Sequence, residues 1–291
     1  MRILITGATG FIGSELVKKA IVEGHEVHCL VRKKSDTSRL FKGSNIHYLS
    51  SENNDINNII AKIKPDIVFH LASFFIAEHK YCDIDDLIYS NITFATKLVD
   101  AMVKNNILLL VNAGTTWQHG NSNEEYNPVN LYAATKQAFE DILKFYNDHY
   151  KLRIINLKLF DTYGENDFRK KLFWALNKAI EKKEKLEMSL GEQEIDLVHI
   201  DDVVNAFMLA GRSLIEKNEI SYESYVLSSG NIVKLKELVE NYEKFIGKKI
   251  DIEWGARPYR EREVMKVWKH GKNLPGWEPL KSKNLFSKEK K

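Results

Sequence analysis

The feature that most constrains this chain is an alternation. Short, near-continuous apolar runs rich in β-branched residues are each followed by text of helical period. The runs are RILIT (2–6), EVHCLV (26–31), NIHYL (45–49), DIVFHLA (66–72), ILLLVNAG (107–114) and RIINLKLF (153–160). Helical patterns begin at Gly10 and cover 56–63, 85–105 and 131–149. Strands this apolar are buried on both faces, and strands separated by helices pair in parallel through crossovers. The pattern predicts an α/β fold, a doubly wound parallel sheet, over residues 1–164. Beyond Gly164 the rhythm loosens, with a helix expected within 165–186, a strand and helix within 194–211 and another helix within 234–247. Residues 165–291 read as a smaller, discontinuous substrate-binding region, with 195–215 returning to the first. The closing KSKNLFSKEKK (281–291) reads as a solvated tail.

Composition narrows the function classes. Of 291 residues, 44% are hydrophobic and 29% charged, which argues against disorder. Lys+Arg 43 against Asp+Glu 40 leaves +3, too balanced for a nucleic-acid or membrane surface. Cys29 and Cys82 form no spaced framework, and no His/Cys/carboxylate cluster has metal-ligand spacing, so no metal is expected. No run approaches the roughly 20 apolar residues of a membrane helix, and the N-terminus lacks a secretory apolar core. A cytoplasmic location is the expectation.

TGATGFIG places Gly7, Gly10 and Gly13 directly after the first strand, where a helix opens. Glycines there permit the tight turn, the approach of a pyrophosphate and close helix packing, and the helix N-terminus attracts the phosphate charge. The arrangement predicts a Rossmann dinucleotide site, with Thr9, Phe11 and Ile12 in the same turn. At the second strand's end, where an NAD site carries an acid for the ribose 2′-hydroxyl, stand Arg32 and Lys33. Cations there pair with a 2′-phosphate, so NADPH is favoured over NADH. A basic solvated loop is the plain alternative.

LYAATK puts Tyr132 and Lys136 four residues apart, on one face of a helix. A neighbouring ammonium favours the phenolate and brings tyrosine nearer to acid–base work at neutral pH. In VNAGTTWQHG (111–120) a strand exits onto Thr115, whose hydroxyl would share a substrate oxygen with Tyr132. Trp117 reads either as packing or as a ligand wall, while His119, His70 and the Asp201-Asp202 pair read as structural, the last as a helix cap.

These motifs in this order resemble the extended short-chain dehydrogenase/reductase family. The glycine turn, VFHLA (68–72), Asn91, the 111–120 segment, YAATK (132–136), LFDTYG (159–164), DLVHIDDV (196–203) and RPYREREV (257–264) carry the resemblance. It implies a triad of Thr115, Tyr132 and Lys136, counted back from Gly120. It also implies a cofactor lining by Leu71, Ala72 and the 159–162 backbone, and a homodimer through the helices at 85–105 and 131–149. Dehydratases of the family follow the Ser/Thr with Asp-Glu, but this chain has Thr116-Trp117, which argues against elimination. The resemblance runs furthest toward the nucleotide-sugar 4-ketoreductases, which implies a 4-keto-6-deoxy or 4-keto-3,6-dideoxy hexose, with CDP-sugars favoured. An NAD-retaining 4-epimerase is the alternative. Substrate residues implied are Thr116, Trp117, Arg169 (with Lys171 sharing the diphosphate charge), Arg260 and Glu263. Ile195 stands where the family's usual arginine would be.

Overall fold

A computed structural model describes residues 1–49, 56–120 and 126–286. In chain order the first half gives β1 (Arg2–Thr6), α1 (Phe11–Val22), β2 (Glu26–Arg32), β3 (Asn45–Leu49), α2 (Ile56–Ile63) and β4 (Ile67–His70). There follow α3 (Ile84–Ile88), a π turn (Tyr89–Thr93), α4 (Phe94–Lys104), β5 (Leu109–Thr115), α5 (Leu131–Tyr150) and β6 (Arg153–Leu159). The second half adds β7 (Asp161–Tyr163), α6 (Leu172–Lys182), β8 (Leu186–Met188), β9 (Glu194–His199) and α7 (Ile200–Glu216). It closes with β10 (Tyr222–Leu227), β11 (Ile232–Lys234), α8 (Leu235–Ile246) and β12 (Ile252–Trp254).

Seven strands form one sheet in the order β10-β6-β5-β4-β1-β2-β3, and every pairing in it is parallel. Ile3, Ile5, Val27, Val31 and Phe69 pack on one face with α1 and α7, and Leu4, Val68, Leu110 and Ile154 on the other with α4 and α5. Removing such side chains from water stabilises the fold by about 1.5–3 kcal/mol each. Two residues past the second apolar row, register aligns Thr6, His70, Asn112 and Asn156 across four strands. The sheet thus turns polar at its carboxyl edge, where ligands of open α/β sheets bind. Asn112 Nδ2 donates to Asn156 Oδ1 at 2.9 Å, which offsets part of the cost of burying both.

Two small sheets complete the molecule: β11-β9-β7, and β12-β8. The seventh strand, β10, for which the sequence pattern predicts no element, pairs with β6 over Tyr222–Leu227. Two expectations need correction. Asp202 does not cap α7: His199 Nδ1 accepts from Asp201 N at 3.2 Å, while Asp202 binds Ser282 N at 2.7 Å and the Ser282 hydroxyl. That contact fixes the start of the supposed tail, whose Phe286 packs on Phe173, Tyr242 and Phe245. Residues 287–291 of it lie outside the described residues.

Candidate active site

The turn after β1 is built on glycine by necessity. Gly7 has φ +70°, and a Cβ on it would stand 2.6 Å from the backbone of Leu71 and Ala72; one on Gly13 would stand 2.1 Å from Gly7 O. Gly13 of α1 therefore packs on the Gly7 carbonyl and Gly7 on the chain leaving β4, with Gly10 as the N-cap of α1 and no side-chain cap on its first amides. Thr6 Oγ1 accepts from Ala72 N at 3.2 Å and lies 2.7 Å from His70 Nδ1. Burial, with the Lys136 ammonium nearby, pushes His70 down to about 3, so it is a neutral ring that holds two strand ends together. The open helix end and the glycine cradle suit a dinucleotide pyrophosphate.

Across the cleft, β5 ends at Thr115 in extended backbone (φ −145°) and the chain enters a one-turn 3-10 helix. Thr115 Oγ1 accepts from Trp117 N at 3.3 Å. Thr115 N donates to Gln118 Oε1 at 3.1 Å, and Gln118 Nε2 donates to Gln137 Oε1 of α5 at 2.7 Å. Gly120, at φ +50°, closes the turn. Helix α5 starts at its Asn130 cap, which accepts from Ala133 N at 2.9 Å. Tyr132 sits in its first turn and Lys136 in its second. The π turn buries Asn91, whose amide bonds Ser73, Phe74 and Thr135 and so ties the β4 exit to α5.

The cleft between these parts has a volume of about 250 Å³. Gly7, Gly10, Phe11, Ile12, Gly13 and Leu71 line one end, and Thr115, Trp117, Tyr132 and Lys136 the other. Ser73 and Phe75, which no sequence motif singled out, also line it. Phe75 meets Tyr132 edge-on at 5.0 Å and Trp117 at 5.6 Å, forming an apolar wall beside the phenol. Only position in the loop after β4 marks Phe75; its residue type carries no signal.

The electrostatics depart from the expected phenolate. Burial pushes Tyr132 up to about 12, with a hydrogen bond to Ser73 opposing and Asp161 adding to the rise, so the group is a protonated phenol. Burial brings Lys136 down to about 8, with Glu140 opposing. Burial would raise Asp161, but Lys171 at 2.6 Å, with Arg169 and Arg260, holds its carboxyl below the usual range.

Several expected residues lie elsewhere. Thr116, 4% exposed, donates to Leu159 O at 3.2 Å and is not in the cleft wall. Arg169 lines the cleft, but its guanidinium is committed to Asp167 through two 2.7 Å bonds and to Thr162 O, and stacks over Phe11. Arg260 is exposed and outside the lining; Glu263 joins it in a local turn, N to O at 3.1 Å. Thr9 and Ala72 flank the cradle without lining the cleft. Arg32 and Lys33 are exposed at the end of β2, beyond the cleft wall. Among the described residues, no group of three His, Cys, Asp or Glu is placed to hold a metal, and no helix is long and apolar enough to cross a membrane.

A family model described as the NAD dependent epimerase/dehydratase family matches residues 3–225. The chain belongs to that family. The CDP-abequose synthase of Yersinia pseudotuberculosis is 26% identical over 267 residues, covering 91% of this chain and 91% of that protein. The CDP-abequose synthase of Salmonella typhimurium is 26% identical over 289 residues, covering 95% and 93%. Among solved structures, UDP-glucose 4-epimerase from Stenotrophomonas maltophila, with bound NAD and formylated UDP-arabinopyranose, superposes at TM-score 0.83. That pair is 19% identical and covers 96% of this chain and 93% of the other, a likeness of fold. As a member of the epimerase/dehydratase family, the chain is an NAD(P)-dependent enzyme of the oxidoreductase type.

Proposed function

We propose that this enzyme reduces the 4-keto group of a nucleotide-linked 4-keto-6-deoxy or 4-keto-3,6-dideoxy hexose, a CDP-sugar by preference, for surface polysaccharide synthesis. The observation that carries the reading is the wall beside Tyr132. It is made of Trp117 and Phe75, and Thr116-Trp117 stand where the family's dehydratases carry Asp-Glu. An aromatic face also suits the apolar carbons of a deoxysugar. The two CDP-abequose synthases that match over nine-tenths of the chain support the sugar class.

NADPH is the proposed cofactor; bound, it supplies the hydride. Gly7, Gly10, Phe11, Ile12, Gly13 and Leu71 would hold the dinucleotide, and Arg32 and Lys33 would receive its 2′-phosphate. Tyr132, protonated at neutral pH, gives its phenol proton to the carbonyl oxygen. Thr115 Oγ1 already accepts from Trp117 N, so its own O–H is left to donate to the same oxygen. Lys136 stabilises the tyrosinate left behind. Arg260, with its field on Asp161, and Lys171 attend the diphosphate. A homodimer through the helical face of α3 to α5 is proposed as well.

The test is a panel of CDP-, dTDP- and GDP-4-keto-6-deoxysugars, with and without the 3-hydroxyl, followed by NADPH absorbance. Turnover of a CDP substrate is expected, with Arg32→Asp raising the KM for NADPH about tenfold or more. No turnover on any member sinks the reading. One observation favours the 4-epimerase alternative: Arg32 and Lys33 stand outside the cleft wall. Protein purified with tightly held NAD, and indifferent to Arg32→Asp, would establish it.

A further inference from the structure

Beneath the cleft lies a second set of buried charges that the proposed reaction does not use. Glu140 stands on α5 one turn after Lys136 and two after Tyr132, so the three follow one another along a single helix face. Glu140 is 5% exposed, Lys158 of β6 7% and His119 8%. Lys158 Nζ lies 3.5 Å from Glu140 Oε2 and donates to His119 Nε2 at 2.7 Å. His119 belongs to the turn that starts at Thr115, and its ring stacks on Trp268 at 3.8 Å and 7°. Glu140 Oε1 has no hydrogen-bond partner. A Cβ on Gly114 would come within 3.0 Å of it, so the carboxylate is pressed against β5 just behind Thr115.

A buried carboxylate is costly unless cations face it. Here two do, Lys158 on the β6 side and Lys136 on its own helix. We propose that Glu140 is a positioning residue for Lys136: its carboxylate, anchored by Lys158, keeps the Lys136 ammonium charged beneath Tyr132 and ties it to the turn that presents Thr115. What the ammonium then does rests on the reductase reading; that Glu140 holds its charge does not.

The groups that face this pair are few. Glu140 of α5 and the neutral His70 of β4 act on Lys136. Glu140 faces Lys158 of β6 and Tyr222 of β10, whose hydroxyl donates to Glu140 O at 3.2 Å, while Lys144 and Asp141 act on Lys158 from α5. Burial lowers the Lys136 amine even with Glu140 opposing, so loss of the carboxylate is expected to lower it further.

The experiment follows Lys136 itself. Nitrogen NMR of lysine Nζ resonances, assigned with Lys136→Met, is titrated in the wild type, Glu140→Gln, Glu140→Asp and the double variant Glu140→Gln/Lys158→Met. The double variant removes the buried pair as a unit, so it folds where the single change leaves Lys158 uncompensated. Lys136 is expected to titrate lower by about one pH unit or more in both neutralised variants, and the alkaline limb of kcat/KM to move down with it. Glu140→Asp, which keeps the charge, is expected to stay close to the wild type. An unchanged Lys136 titration in the double variant overturns the proposal. A chain that reduced no keto sugar yet showed the shift would lose the reductase reading and keep this one.

Discussion

Two adjacent threonines with the same side chain have different jobs because one ends a strand and the other begins a turn. The Thr115 hydroxyl stands in the cleft wall, while that of Thr116 is turned inward to Leu159 O. Thr115→Val is expected to lower kcat/KM about a hundredfold, since it removes a donor to the developing charge, and also to cost about 1 kcal/mol by uncapping Trp117 N. Thr116→Val is expected to affect stability alone. It strands a buried carbonyl at a cost of about 1 kcal/mol, read as a fall of a few degrees in Tm, with kcat/KM within about threefold of wild type. Equal kinetic losses in the two variants would contradict this assignment. Lys136 and Tyr132 show why spacing alone misleads: their four-residue interval is legible, but burial, invisible in one dimension, is the largest influence on Tyr132 and leaves a phenol.

At the scale of elements, the glycine turn and α5 carry the site. Gly13 has no room for one more carbon, since the atom in the way is the Gly7 carbonyl and cannot rotate aside. Gly13→Ala is expected to push α1 off β1, weakening NADPH binding about tenfold or more and destabilising the fold by about 1–3 kcal/mol, measured by calorimetry and thermal melting. Binding retained at wild-type strength would show that the cradle lies elsewhere. The helix at 85–105 was legible by its period, yet not its π turn, which rotates Asn91 inward to hold the Ser73 loop against Thr135. An extra residue in a helical turn leaves the apolar period nearly intact, so only hydrogen bonding reveals it.

At the scale of the whole molecule, the π turn carries Tyr89 at 53% exposure and α5 carries Phe145 at 55%, bulky rings that solvent does not favour. Light scattering is expected to give a dimer that Phe145→Glu with Tyr89→Glu converts to monomer; a wild-type monomer would refute the proposed assembly. The parallel sheet, the glycine cradle and the positions of Tyr132 and Lys136 were determined by the sequence alone, because each is a local signal: a period, a turn residue or an interval on one helix. What only the tertiary structure decided are the contacts between distant segments. Thr116 meets Leu159 43 residues away, Lys158 reaches His119 39 residues away, and Ser282 comes back to Asp202 across 80. Which polar group faces the cleft and which is spent inside depends on partners that no local pattern names, because burial and hydrogen bonding are settled only when the layers close.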